Sequence, residues 1–210
     1  MRKKELEILL QKVKYPQLPK VYLEQYTTPA NLAAEILNLA FLSNDIKNKV
    51  IFDFGCGSGR LAIGASLLGA KLVVGVDRDV KMVKLAKSNV KFLESILRKK
   101  MKVFFVCSDI ENFFGKCDTV IQNPPFGIKK EHADLIFLKK ALECGKKVYS
   151  LHRGHEKTRN FLRKFIEKEG GKIKQIISME FLLPWLFNFH KKPKIRYEVD
   201  LYVIEKQEVK

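Results

Sequence analysis

Across its 210 residues the chain has no apolar run approaching the ~18 residues that a membrane helix requires. Its opening Met1-Arg-Lys-Lys leads into a charged helical pattern, unlike the apolar core of a secretory signal. Cysteine is scarce, and Cys56, Cys107, Cys117 and Cys144 form no C-x-x-C pair and have no histidine at zinc-ligand spacing. A zinc module and a disulfide scaffold are thereby excluded, and no metal site is expected. Each thiol lies in or beside an apolar run, so free buried cysteines and a reducing, cytoplasmic compartment are expected. Acidic residues are also short: 23 Asp+Glu face 40 Lys+Arg, a formal net charge of +17. A polyanion is the partner such a surface suits, because neutralising phosphates releases their counterions. No basic amphipathic helix with a wide apolar face stands out, so nucleic acid is favoured over a membrane surface.

Repeats, low-complexity tracts and linkers are missing too, which points to one domain over residues 1–210. Residues 6–14 pattern as a short amphipathic helix closed by Pro16 and Pro19. Pro29 suits the first turn of a second helix running to about Leu42, with Thr28 as its cap. A strand over 50–54, a helix to Leu68 and a strand over 71–76 follow. Val83, Ala86, Val90, Leu93 and Leu97 then recur at spacings of three and four, the mark of a long helix. Strands over 101–106, 119–122 and 147–151 continue the alternation, and residues 173–183 and 197–204 close it as an antiparallel hairpin. Alternating β and α elements imply a parallel sheet covered on both faces. The expected fold class is α/β: one Rossmann-like domain with a seven-stranded, mostly parallel sheet and one antiparallel strand.

The segment Asp53-Phe-Gly-Cys-Gly-Ser-Gly59 joins the first strand to a helix. Gly55, Gly57 and Gly59 are spaced G-x-G-x-G, and Arg60 stands near the place of a dinucleotide fingerprint's third glycine. Such glycines admit a ligand that has no pyrophosphate to cradle, as a nucleoside with an amino-acid tail would be. Asp77, ending the second strand, can accept hydrogen bonds from both ribose hydroxyls. Ser108-Asp109-Ile110 after the third strand offers a carboxylate for an adenine amine and an apolar cover for its ring. These stations, at the ends of consecutive strands, resemble the S-adenosylmethionine site of class I methyltransferases. A nicotinamide or nucleotide binder is the alternative.

Asn123-Pro124-Pro125-Phe126 follow the apolar run of residues 118–122, at the carboxyl end of a strand, where open α/β sheets keep their chemistry. Consecutive prolines stiffen the backbone and take its carbonyls out of any ladder. An amide, a free carbonyl and an aromatic ring on a stiff turn suit a planar group bearing an NH2. A rigid strand exit without chemistry is the plainer reading. Beside a cofactor site of this kind, the tetrad resembles that of methyltransferases acting on adenine N6, guanine N2 or a glutamine amide.

The resemblance continues along the chain in collinear order. Leu23-Glu-Gln-Tyr-Thr-Thr-Pro29, the glycine segment, Asn123-Pro-Pro-Phe-Gly-Ile-Lys129, Val148-Tyr-Ser-Leu-His152 and Phe189-His-Lys-Lys192 with Glu198-Val-Asp-Leu201 are similar to the methyltransferase-like protein 5 family. That family methylates adenine N6 at one site in small-subunit ribosomal RNA. Ser58 stands where the human-type member has a third cysteine, and Thr27 where proline often stands. The resemblance implies that Gln25, Thr28, Gly55, Ser58, Arg60, Asp77, Asp109 and Ile110 contact S-adenosylmethionine, with Asp53, Gly57 and Gly59 in the same loop. It implies that Asn123, Pro124, Pro125 and Phe126 hold the acceptor base. On this reading residues 1–28 form an N-terminal helix and a cofactor-covering segment, and 29–210 the core. The family's eukaryotic members also work with a small zinc-binding activator protein.

The loop of residues 187–196 interleaves aromatics with His190, Lys191, Lys192, Lys194 and Arg196 and carries no acid. It is the candidate RNA grip, together with Lys129, Lys130 and the basic stretch from Arg153 to Lys168; a solvated hairpin tip is the plainer reading. His152 reads as a satisfied residue at a strand end. Competing acceptors are guanine N2 in RNA and a glutamine amide in a protein. A non-catalytic RNA-binding protein with a vestigial cofactor fold is a further alternative. Nothing supplies a sequence-reading DNA module.

Overall fold

In the sheet, apolar runs rich in β-branched and aromatic residues become β1 (Val50–Phe54), β2 (Leu72–Asp77), β3 (Val103–Cys107), β4 (Cys117–Gln122), β5 (Gly145–Arg153), β6 (Gly171–Pro184) and β7 (Lys194–Lys206). Between and before them lie α1 (Lys3–Gln11), α2 (Ala30–Leu42), α3 (Arg60–Leu67), α4 (Val80–Leu97), α5 (Ala133–Cys144) and α6 (Glu156–Lys168). The computed structural model describes residues 1–16, 27–126, 133–184 and 194–207, excepting the side chains of 181–184 and 194–197. A seven-stranded sheet runs in the order β3-β2-β1-β4-β5-β7-β6. Pairing is parallel from β3 to β5, while β7 runs against both β5 and β6. The expected α/β class, strand count and single antiparallel strand are all present. Because β1 lies between β2 and β4, the strand order reverses there, and a crevice opens at the carboxyl ends of these strands.

Period-two alternation sorts the side chains between two cores. Ile51, Val73, Phe105, Ile121 and Tyr149 join the larger cluster with α1, α2, α3 and α4. Phe52, Phe54, Val120, Val148 and Tyr202 join the smaller one with α5 and α6. On the α5–α6 side, Asp200 is fully buried and receives Arg159 in a bidentate pair, Nε to Oδ2 at 2.6 Å and Nη2 to Oδ1 at 2.8 Å. Arg159 is therefore fastened to the sheet, although the sequence groups it with a basic stretch suited to RNA. The edge strand β3 keeps apolar side chains in water on that same side, with Phe104 63% and Val106 39% exposed.

Two expectations about the N-terminal region change. Thr28 caps nothing: Pro29 takes the cap position, no side chain caps the helix, and Ala30 begins it. Proline disfavours the helical region for the residue before it, so Thr28 stays extended and its hydroxyl turns elsewhere. The first helix also runs over Lys3–Gln11 instead of residues 6–14, and its Leu6 and Leu10 are fully buried against α2 and α3. Gly64 of α3 makes this close packing possible, because a Cβ there would run into Leu37. Leu10→Ala should accordingly cost about 2–5 kcal/mol of folding stability, seen as a lower urea midpoint; a peripheral helix would give almost no change.

Candidate active site

Beyond Phe54 the chain turns back on itself under several constraints. The amides of Gly55 and Cys56 both donate to the Val76 carbonyl, at 2.8 and 3.0 Å, and Gly57 N–H donates to Asp77 Oδ2 at 2.8 Å. Gly57 and Gly59 have φ of 51° and 83°, the left-handed region that side chains resist. At Gly59 a Cβ would also stand 2.8 Å from the Phe105 ring. The glycines therefore serve the turn and the packing of α3 on the sheet.

Asp53, Gly55, Gly57, Ser58, Asp77, Asp109 and Ile110 come together around one cavity with Thr28, Arg60, Asn123 and Pro125. Pro124 is buried and Phe126 packs half-buried against the larger core; both adjoin the lining residues Asn123 and Pro125 without being part of the lining. Asp53 Oδ2 accepts from Ala62 N–H at 2.9 Å, while its Oδ1 and the Ser58 hydroxyl are buried without partners. Burial pushes the Asp53 carboxyl up to about 7; the Ala62 N–H opposes that rise and the nearby Asp77 adds to it. Asp77 is raised as well, again chiefly by burial, against the amides of Asp79 and Gly57 that donate to it. Each Asp77 oxygen keeps a second lone pair after those bonds, enough for a diol. Asp109 caps the 3-10 turn Ile110–Asn112 by accepting from Glu111 N–H at 3.1 Å.

Buried polar atoms without partners are costly, so their clustering on a cavity wall calls for a ligand that completes them. Asp53 Oδ1 fits an ammonium, and the Ser58 hydroxyl fits a carboxylate. Asp77 suits a ribose diol, and Asp109 with Ile110 suits an adenine. The residues thus fit S-adenosylmethionine.

On the acceptor side, Asn123 Nδ2 donates to Thr28 Oγ1 at 3.0 Å, while Asn123 Oδ1 is buried with no partner. Arg60 donates from Nη1 to the Thr28 carbonyl at 2.6 Å and from Nη2 to the Val13 carbonyl at 2.9 Å. Its guanidinium is spent on the N-terminal segment, and burial lowers it to about 10. His152 sits behind the strand ends, in a buried run from Gln122 Nε2 to Ser150 Oγ (2.9 Å) to His152 Nε2 (2.8 Å), with Asp134 3.4 Å from Nδ1. It is the satisfied residue expected.

The family model for ribosomal protein L11 methyltransferase (PrmA) matches residues 31–124. A candidate RNA methyltransferase of Pyrococcus horikoshii has the same fold, with a TM-score of 0.89, 40% identity and 98% of each chain covered. An uncharacterized protein of Methanocaldococcus jannaschii is 42% identical over 98% of this chain and 95% of its own. The rRNA N(6)-adenosine-methyltransferase METTL5 of Danio rerio is 37% identical over 95% of this chain and 97% of its own. The chain belongs to the METTL5 family.

The METTL5 likeness runs almost end to end, whereas the L11 methyltransferase match stops at residue 124, before Phe126. Several residues of the site carried no local signal. Phe137 of α5 lies over Gly55, and Met82 of α4 lines the cavity, yet neither belongs to a motif in the sequence. Asn89 ties Lys14 to the glycine loop, donating to the carbonyls of Lys14 (2.9 Å) and Ser58 (3.0 Å). Gln25, Lys129, Lys130, His190, Lys191 and Lys192 lie outside the described residues, as do the side chains of Lys194 and Arg196 on β7. Arg153 is exposed at the end of β5.

The Asp53 carboxyl predicts a pH dependence. The folded chain holds that proton to about pH 7, while the unfolded chain releases it near 3.8. The stability it contributes is whole below pH 3.8 and lost as pH rises toward about 7. In the ligand-free protein, Asp53→Asn should flatten this decline, so that urea midpoints of variant and wild type diverge in the variant's favour across that window.

Proposed function

We propose that the protein transfers a methyl group from S-adenosylmethionine to N6 of an adenine in small-subunit ribosomal RNA. The observation that carries this reading is Asn123 Oδ1, a buried acceptor without a partner on the wall of the cavity that fits the cofactor. S-adenosylmethionine supplies an electrophilic methyl on a sulfonium, whose sulfur leaves as a neutral thioether.

The remaining task is positioning, and the chain's own groups supply it. Adenine N6 is a weak nucleophile because its lone pair is delocalised into the ring. Asn123 Oδ1 accepts one N6 hydrogen, and the Pro124 carbonyl, beyond the end of the β4 ladder at Gln122, accepts the other. Two acceptors favour a pyramidal nitrogen with its lone pair aimed at the methyl. Phe126 turns its exposed side to the base, a contact worth about 1–3 kcal/mol. No strong general base is needed, since the alkylated nitrogen is acidic enough to lose a proton to water. The base enters unstacked, from a single strand or by flipping. The net charge of +17 draws the RNA, with Arg153, Lys129, Lys130 and residues 187–196 as its grip.

Guanine N2 and a glutamine amide carry the same planar NH2, and the L11 methyltransferase match covers the part of the chain that builds the cofactor loop. The end-to-end METTL5 likeness favours adenine. A non-catalytic RNA-binding protein would have no use for orphaned acceptors in an open cleft.

The test is incubation with labelled S-adenosylmethionine and small-subunit ribosomal RNA, followed by nucleoside analysis. N6-methyladenosine is expected, and N2-methylguanosine or unlabelled RNA would refute the reading. Asn123→Ala should lower turnover on the order of a hundredfold or more, by analogy with removing one positioned hydrogen-bonding group, with the cofactor's calorimetric affinity unchanged. A zinc-binding activator would need an apolar landing site, which the exposed Phe104 and Val106 on the β3 edge provide. A cell extract is therefore expected to stimulate turnover of the wild type and not of Phe104→Asp.

A further inference from the structure

We infer that Thr28 is a positioning residue: it sets which end of the Asn123 amide faces the cleft, and Arg60 holds it in place to do so. This rests on the methyl-transfer reading above and adds to it a cause for the orientation of the accepting oxygen.

An asparagine side chain presents a carbonyl oxygen on one side and an NH2 on the other. Only the oxygen can receive the hydrogen of an amino group; turned over, the same side chain would set two donors against each other. Asn123 Nδ2 donates to Thr28 Oγ1 at 3.0 Å, which leaves Oδ1, buried and without a partner, as the free end of a residue that lines the cavity. Thr28 is only 6% exposed and lies 95 residues from Asn123 in sequence, so the bond closes the cleft wall between the N-terminal segment and β4.

Thr28 is itself constrained on two sides. Pro29 restricts its backbone to the extended region. Its carbonyl accepts from Arg60 Nη1 at 2.6 Å, and the same guanidinium reaches the Val13 carbonyl at 2.9 Å. Arg60 in turn is the first residue of α3, directly after the left-handed Gly59 that ends the cofactor loop. A continuous path of backbone and hydrogen bonds thus runs from the cofactor loop through Arg60 and Thr28 to the Asn123 amide. A hydroxyl that served only to touch the cofactor would not need its acceptor lone pair committed to Asn123.

Thr28→Val keeps the shape and removes the acceptor, whereas Thr28→Ser keeps the acceptor. The Asn123 side-chain NH2 resonances, assigned by their loss in Asn123→Ala, report the bond directly in the ligand-free protein. In Thr28→Val they should shift and exchange faster with water, and in Thr28→Ser they should stay near the wild-type positions. The turnover number for N6-methyladenosine should fall on the order of a hundredfold in Thr28→Val, recover in Thr28→Ser, and fall no further when Thr28→Val is added to Asn123→Ala. Unchanged Asn123 resonances in Thr28→Val would overturn the inference. So would a rise in the cofactor's dissociation constant with turnover preserved, which would make Thr28 a cofactor contact alone. If the wild type methylates nothing, the functional reading fails, and the resonances still decide the role of Thr28.

Discussion

The position of β1 between two parallel neighbours is the constraint from which the rest follows. Hydrogen-bonded to β2 on one side and β4 on the other, it sends the chain's connections away in opposite directions. Among the described residues no crossover covers the carboxyl ends of these strands, and a crevice remains there. Each loop leaving the sheet at that edge contributes one wall: the glycine loop after β1, Asp77 at the end of β2, Asp109 after β3 and Asn123 after β4. The larger core under this edge, with Leu6, Leu10 and Leu37 fully buried, gives the loops a rigid floor.

The cleft is polar where the surrounding packing can least accommodate polarity. Burial raises the proton affinity of two carboxyls there, Asp53 and Asp77, and the nearby Asp77 raises that of Asp53 further. A fold selected for stability alone would replace such groups or pair them with a cation. The nearest buried cation, Arg60, is instead turned to the carbonyls of Thr28 and Val13. The cavity therefore keeps buried acceptors without a cation to pair them, an arrangement that suits a ligand able to complete them. Outside the cavity, the chain's excess of lysine and arginine, a net charge of +17, suits a polyanion.

Much of this architecture was legible in the chain. Strands β1, β2, β4 and β5 showed as apolar runs, α4 as a three-and-four repeat, and the stations at Asp53–Gly59, Asp77, Asp109 and Asn123 as turn chemistry following strands. These signals are local, and residues within one strand or turn report their neighbours' geometry directly. The ends of β5 and β6 extended beyond expectation because ladder pairing with β7 recruits residues such as Lys172 and Arg153, which have no apolar signal of their own. Thr28 was misread as a helix cap because its position before Pro29 matched a local pattern, while its hydroxyl answered a partner 95 residues away.

The sequence by itself determined the order of the elements, the parallel sheet with one reversed strand, and the residue types at each strand end. Those depend on periodicity and on backbone preferences that act over a few residues. Tertiary structure alone decided that Arg60 anchors the N-terminal segment, that Asn89 joins Lys14 to the glycine loop, and that the Asn123 amide donates to Thr28. Each of these is a hydrogen bond between groups far apart in sequence. Its donor and acceptor meet only once the helices have packed on the sheet, and no local pattern records which partner a buried polar group will find.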